Sequence, residues 1–319
     1  MEGLRDRKVA VIGATGFIGS HLTERLVECG AEVLAVARTR ERLENLADVL
    51  PKIHFTLADA AVRESIADVF HDFRPAKVFH LASGRDQHET FDQMRNSLRQ
   101  NTEVVINALE ISAAAKVETF VFCVSSKVYG NCETSYSEDT PDDPVCSYAI
   151  AKSAAWRFCK LYSTLSGGHV VALRPTMVYG PRQNLNLVSY LLTQIQRQVP
   201  VALQGGWQTR DPLYVDDAVE AFLRAAIAPA ARNRAIPIAG GEEMTIADIS
   251  RRIAATLGEE IQIVSEADAV RPTEIFRSCC DNRDAERLLM GWQPRISLEQ
   301  GVARLAAMPA AARAAAVGT

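Results

Sequence analysis

A tyrosine and a lysine stand four residues apart in "SYAIAK", at Tyr148 and Lys152. On a helix that spacing puts both on one face, with Cβ atoms about 5–6 Å apart. A free phenol titrates near about 10, and a neighbouring ammonium lowers that value, so the phenol can exchange a proton near neutrality. The spacing gains meaning from a third group. In "TFVFCVSSKVYG" an apolar run ends on Ser125 and Ser126, followed by Lys127, where a turn former would be the ordinary choice. Ligands bind at the carboxyl ends of parallel strands. A serine there can hydrogen-bond a substrate oxygen that Tyr148 protonates. Without the other two residues Ser125 would read as a helix cap or turn former.

A second constellation lies near the start of the chain. "VIGATGFIG" places Gly13, Gly16 and Gly19 after an apolar run and before an amphipathic stretch. Glycines let the backbone approach a pyrophosphate, and the helix that follows offers free N–H groups and the positive end of its dipole. A dinucleotide is therefore expected, and Lys152 gains a further use in holding its nicotinamide ribose. In such sites an acidic residue ends the second strand and bonds the adenosine ribose. Here that strand ends "AVARTRERL", with Arg38 at the position and Arg40 and Arg42 beyond it. A guanidinium matches a 2′-phosphate bidentately, so NADP(H) is expected ahead of NAD(H). Asp59, ending the third strand, can accept from the adenine amino group.

These residues need elements to position them. Six β-rich runs occupy 8–13, 32–38, 53–59, 77–83, 119–126 and 169–176. They are near-continuously apolar, as strands buried on both faces are. Helical patterns alternate with them, including "SHLTERLVECG" and the single long stretch "NSLRQNTEVVINALEISAA". The alternation argues an α/β fold with a doubly wound parallel sheet. After about residue 180 the pattern loosens, and a smaller lobe is expected from 180–210 and 240–275. The helix "VDDAVEAFLRAAIA" carries Asp216 and Asp217 near its start, favourable for capping and for the dipole.

At this point the chain resembles the extended short-chain dehydrogenases/reductases that act on nucleotide sugars. The resemblance covers nearly the whole length. It rests on "GATGFIG", "LAD" (57–59), "HLAS" (80–83), Asn101, "SSKVYG", "YAIAK", "RPTMVYGPRQ", "RDPLYVDD" and "RPTEIF…CDNRDAERLLMGWQP". It implies a Rossmann-type NAD(P)-binding domain over 1–178. It implies a C-terminal substrate lobe over 179–307, with segments near 210–238 returning to the sheet, and leaves an Ala-rich tail at 308–319. It implies Ser125, Tyr148 and Lys152 as the catalytic triad, and Asn101 as support for the active-site helix. The cofactor would also meet Thr15, Phe17, Ile18, Ala82 and Pro175. Arg210 and Arg271 would clamp the diphosphate of a nucleotide sugar, and Ser126, Lys127 and Met177 would face the sugar. A homodimer is expected.

The chain departs from the family in two places. Dehydratases carry an Asp-Glu pair after the strand-end Ser/Thr, where this chain has Ser126 and Lys127. Related decarboxylases keep a glutamate at the Lys127 position. Many epimerases offer an asparagine where Met177 stands. Arg38 and Met177 favour NADPH-dependent reduction of an NDP-4-keto-6-deoxyhexose. The alternatives are a C4 epimerase with transient oxidation by a held cofactor, reduction of a non-sugar carbonyl, and a non-catalytic dinucleotide sensor or assembly subunit on the same fold.

Composition narrows the field further. The 319 residues carry a net charge of −4 and no long basic run, which argues against nucleic acid or an anionic membrane as partner. The first residues read as a strand rather than a signal peptide, and no run approaches a membrane span. A cytoplasmic protein is expected. Seven cysteines show no CxxC pair, so free thiols are expected and no metal site.

Overall fold

The structure, a computed structural model, describes residues 1–84, 89–183, 186–266 and 270–308. Its centre is a seven-stranded parallel sheet of Rossmann type. In chain order the strands are β1 (Lys8–Ile12), β2 (Glu32–Ala37), β3 (His54–Leu57), β4 (Lys77–His80), β5 (Thr119–Cys123), β6 (His169–Pro175) and β7 (Ala235–Ile238). Across the sheet they run β7-β6-β5-β4-β1-β2-β3, and every pairing is parallel. The order reverses between β1 and β4, which opens a crevice at their carboxyl ends.

The apolar runs are continuous because alternate residues serve opposite faces. Val9 and Val11 of β1 join one core with Leu22 and Leu26 of α1 (Phe17–Glu28). Ala10 and Ile12 join the other with Ile66 and Phe70 of α2 (Arg63–Phe73). β7 escaped the strand pattern because it is four residues long and contains Pro237. At the sheet edge a missing N–H is tolerated.

The long stretch expected as one helix is divided. α3 (Phe91–Leu98) and α4 (Val104–Ala114) are joined by a π-helical turn, Arg99–Glu103, that contains Asn101. Such turns insert one residue per turn and re-aim side chains, often at functional sites. α5 (Ser147–Ser166) packs against α3 and α4 and carries Tyr148 and Lys152.

Beyond β6 the chain builds short ladders between α6 (Leu187–Gln196), α7 (Val215–Ala225) and α8 (Ile246–Leu257). Met177–Tyr179 pairs with Pro212–Tyr214, and Val201–Gln204 pairs with Ile263–Glu266. Thr209–Arg210 lies between Met244–Thr245 and Arg277–Ser278. α7 returns to pack against α1. α9 (Arg283–Leu288) and α10 (Leu298–Ala306) follow. Asp217 does not cap α7 as expected; no side chain does. Its carboxylate instead accepts from the Arg295 and Ile296 N–H groups at 3.1 and 3.0 Å, tying in the segment before α10. The Ala-rich tail from residue 309 lies outside the described residues. Among those described, no helix is long and apolar enough to cross a membrane, all seven cysteines are free, and no cluster of His, Cys, Asp and Glu could hold a metal ion.

Candidate active site

The glycine turn between β1 and α1 is shaped by close approach. Gly13 has φ +90°, and a Cβ there would sit 2.6 Å from the Ala82 amide nitrogen. A Cβ on Gly19 would overlap the Gly13 carbonyl oxygen. Gly16 is the N-cap of α1 and supplies no capping side chain, so the first amides of that helix remain available. Ala82 donates to the Ile12 carbonyl at 2.9 Å, and the Thr15 carbonyl accepts from Asn45 Nδ2 at 3.0 Å. Phe17 and Ile18 pack on the core. An uncapped helix end beneath a tight glycine turn fits a pyrophosphate.

At the far end of β2, Arg38 is exposed, as are Arg40 and Arg42. Among the described residues none of the three pairs with a carboxylate. Asp59 uses Oδ1 to accept from the Ala61 N–H at 2.9 Å, which shapes the turn after β3.

Ser125 comes from the turn after β5, and Tyr148 and Lys152 come from α5. Ser125 follows β5 and caps the short 3₁₀ helix Ser126–Tyr129, its Oγ accepting from the Lys127 N–H at 3.2 Å. It is thus a cap as well as a group at the mouth of the sheet. Lys152 is 1 % exposed. Its ammonium donates to the Cys123 carbonyl at 2.9 Å and lies 4.8 Å from the Phe122 ring centre and 5.9 Å from that of Tyr148. Burial lowers it from its ordinary value to about 8. His80, at the end of β4, is fully buried and edge-on to Phe122. Burial first, and the Lys152 charge second, push it down to about 3, so it is neutral.

Asn101 is fully buried, and its bonds differ from the expected support of the active-site helix. It accepts from Ser83 Oγ at 2.8 Å and donates to the Gly84 and Ser97 carbonyls at 2.8 and 3.2 Å. It therefore holds the loop after β4. The neighbouring Thr102 reaches α5, donating to the Ala151 carbonyl at 2.8 Å. Sequence reasoning missed Thr102, because nothing local marks a threonine inside a π turn.

The expected substrate residues lie on separate segments that follow β5 and β6. Pro175 ends β6, and Met177 opens the short strand just after it, half-buried. Ser126 is buried and Lys127 half-buried. Arg210 donates to the Thr209 and Ile275 carbonyls, each at 2.8 Å, and forms an ion pair with Glu274. The expected clamp is thus also a structural tie. Arg271 is exposed in the segment leading to Glu274. Asn131, also missed, bonds the Glu274 carbonyl and the Phe276 N–H at 3.0 and 2.7 Å. Through it the loop that follows Tyr129 holds the strand that follows Arg271.

Residues 9–239 match the family described as "NAD dependent epimerase/dehydratase family". A UDP-glucose 4-epimerase of Mycolicibacterium smegmatis is 30% identical over 308 residues, 93% of this chain and 96% of the relative. The solved UDP-glucose 4-epimerase of Thermotoga maritima, with UDP-glucose, superposes with a TM-score of 0.83 at 28% identity, covering 92% of this chain and 96% of the other. The UDP-glucuronic acid 4-epimerase of Bacillus cereus, with UDP-glucuronic acid and NAD, gives 0.85 at 26% identity over 93% and 96%.

Proposed function

The chain belongs to the NAD dependent epimerase/dehydratase family, and from that premise we propose that it interconverts the C4 epimers of a UDP-sugar. The observation that carries this reading is Lys152, buried beside the Tyr148 ring and bonded to Cys123 two residues before Ser125, at the carboxyl end of a sheet whose glycine turn fits a dinucleotide. Near full-length similarity to 4-epimerases favours the epimerase over the reduction of a 4-keto-6-deoxy sugar that Arg38 and Met177 suggested. The cofactor reading moves with it. Neighbours solved with NAD support NAD(H), while exposed Arg38 is the observation that favours NADP(H).

In this reading Tyr148 takes the proton of the C4 hydroxyl as the sugar is oxidised and returns it to the C4 oxygen as the keto sugar is reduced. Ser125 donates to the same oxygen. The Lys152 charge favours the phenolate of Tyr148. NAD(P), when bound, supplies the acceptor and donor of hydride. Inversion requires the keto sugar to present its other face before reduction. Arg210 and Arg271 hold the diphosphate meanwhile, as guanidinium forks suit phosphate oxygens. Neither Ser126 nor Lys127 supplies the acid pair that water elimination needs.

The test is incubation with UDP-glucose, UDP-galactose and UDP-glucuronic acid, with products read by NMR. A C4 epimer should accumulate with no net consumption of reduced cofactor. Stoichiometric NADPH consumption on an NDP-4-keto-6-deoxyhexose, without epimerisation of the panel, would restore the reductase. No turnover with either, in protein that binds the dinucleotide, would leave a sensor.

A homodimer is part of this reading. Phe91, Met94 and Leu98 are exposed on α3, and Ile150, Phe158, Leu161 and Leu165 on the adjacent α5. A two-fold axis would bring the same patch together from both copies.

A further inference from the structure

A cavity of about 340 Å³ lies at the end of the sheet opposite Ser125 and Lys152. Lys77, Thr119 and His169 line it, and they are the first residues of β4, β5 and β6. Glu118, Gly3, Arg232 shortly before β7, and the residues that close α7 complete the wall. Thr119 and Ser125 are separated by a length of extended chain of roughly 20 Å, at about 3.3 Å per residue. A ligand here cannot touch the groups at the other end.

The charges around the cavity do not cancel. Lys77 is 8% exposed, and its ammonium donates to the Ala226 carbonyl at 2.9 Å. The last carbonyls of α7 carry about half a negative charge, which Lys77 more than offsets. Glu118 is already paired with Arg7. The surplus is Arg232, which is exposed and forms no side-chain hydrogen bond or ion pair among the described residues. His169 stands beside it. Burial, then the charges of Arg232 and Lys77, lower the His169 pKa, and burial lowers that of Lys77. Two cations, Lys77 and Arg232, thus line a cavity whose one carboxylate, Glu118, is already paired with Arg7.

We propose that this cavity is a second anion site, which binds a phosphate group, either free or borne by a nucleotide. Lys77 uses one of its three donors on Ala226, and the other two remain for the anion. Arg232 adds a guanidinium fork that matches phosphate oxygens. The volume falls at the small end of the usual range for ligand cavities, about 300–1,000 Å³, which suits a compact anion.

The experiment is calorimetric titration of the full chain, saturated with NAD(H) so that the glycine turn is filled. The probes are inorganic phosphate, pyrophosphate and AMP. Saturable binding of at least one is expected. Arg232→Ala, at an exposed position, and Lys77→Met should each weaken it at least tenfold while NAD(H) affinity is unchanged. Tighter binding of AMP than of phosphate identifies a nucleotide as the source, and the reverse identifies the free anion. Failure of all three probes to bind overturns the proposal. So does undiminished affinity in Arg232→Ala, or heat that disappears once NAD(H) saturates.

Discussion

The Lys152 ammonium donates to the Cys123 carbonyl at 2.9 Å, joining the active-site helix to the last residue of β5. The bond fixes a charge 5.9 Å from the Tyr148 ring centre inside a buried setting, and burial brings its pKa from 10.5 to about 8. Between those values the unfolded chain holds a proton that the folded chain has released. The contribution of Lys152 to the stability of the ligand-free protein should therefore rise with pH across about 8 to 10.5, since at this side chain the unfolded state binds more protons there. Urea midpoints measured across this range should shift upward in the wild type relative to Lys152→Met as pH rises. Parallel curves would show that Lys152 titrates normally. The same deprotonation should give kcat/KM an alkaline limb near about 8.

Tyr148→Phe removes one phenol oxygen and leaves the ring. Epimerisation should fall by about 10²–10⁴-fold, the usual share of a general acid–base step. NAD(H) titration should be nearly unchanged. An unaltered kcat would take Tyr148 out of the mechanism.

Arg38→Asp reverses the charge at the exposed end of β2. If Arg38 meets a 2′-phosphate, the ratio of NADPH to NADH dissociation constants should rise by about tenfold or more, because a charge-assisted contact is replaced by repulsion. A ratio indifferent to the change would place the guanidinium away from the adenosine ribose and leave NAD(H) as the natural partner.

Arg210→Ala and Arg271→Ala should raise KM for the UDP-sugar more than they lower kcat, as loss of uniform binding does. Arg210→Ala should also lower the melting temperature, since Glu274 loses its ion-pair partner at a site only 16–17% exposed. A stability loss with KM intact would make Arg210 a tie between strands and nothing more.

Phe158→Glu puts a charge into the exposed patch of α5. Sedimentation should show a dimer for the wild type and a monomer for the variant, with the helical circular dichroism retained. A monomeric wild type at micromolar concentration would remove the two-fold reading of this patch.

What the sequence determined by itself was local. The doubly wound sheet was legible in continuously apolar runs, because strands covered on both faces tolerate no polar alternation. The glycine turn was legible because only a residue without a Cβ fits where Gly13 meets Ala82. The Tyr148–Lys152 spacing was legible because helix geometry is periodic. The tertiary structure decided the partners, which depend on chain segments far apart in sequence. Asp217 reads as a helix cap until the segment before α10 arrives with two unpaired N–H groups. Asn101 reads as one residue in a long helix until the π turn aims it at Ser83 and leaves Thr102 to grip α5. Arg210 reads as a free phosphate clamp until Glu274 reaches it from across the ladder. In each case composition gave the hydrogen-bonding capacity of the side chain, and packing chose where that capacity was spent, because a buried polar group must find its partner wherever the fold brings one.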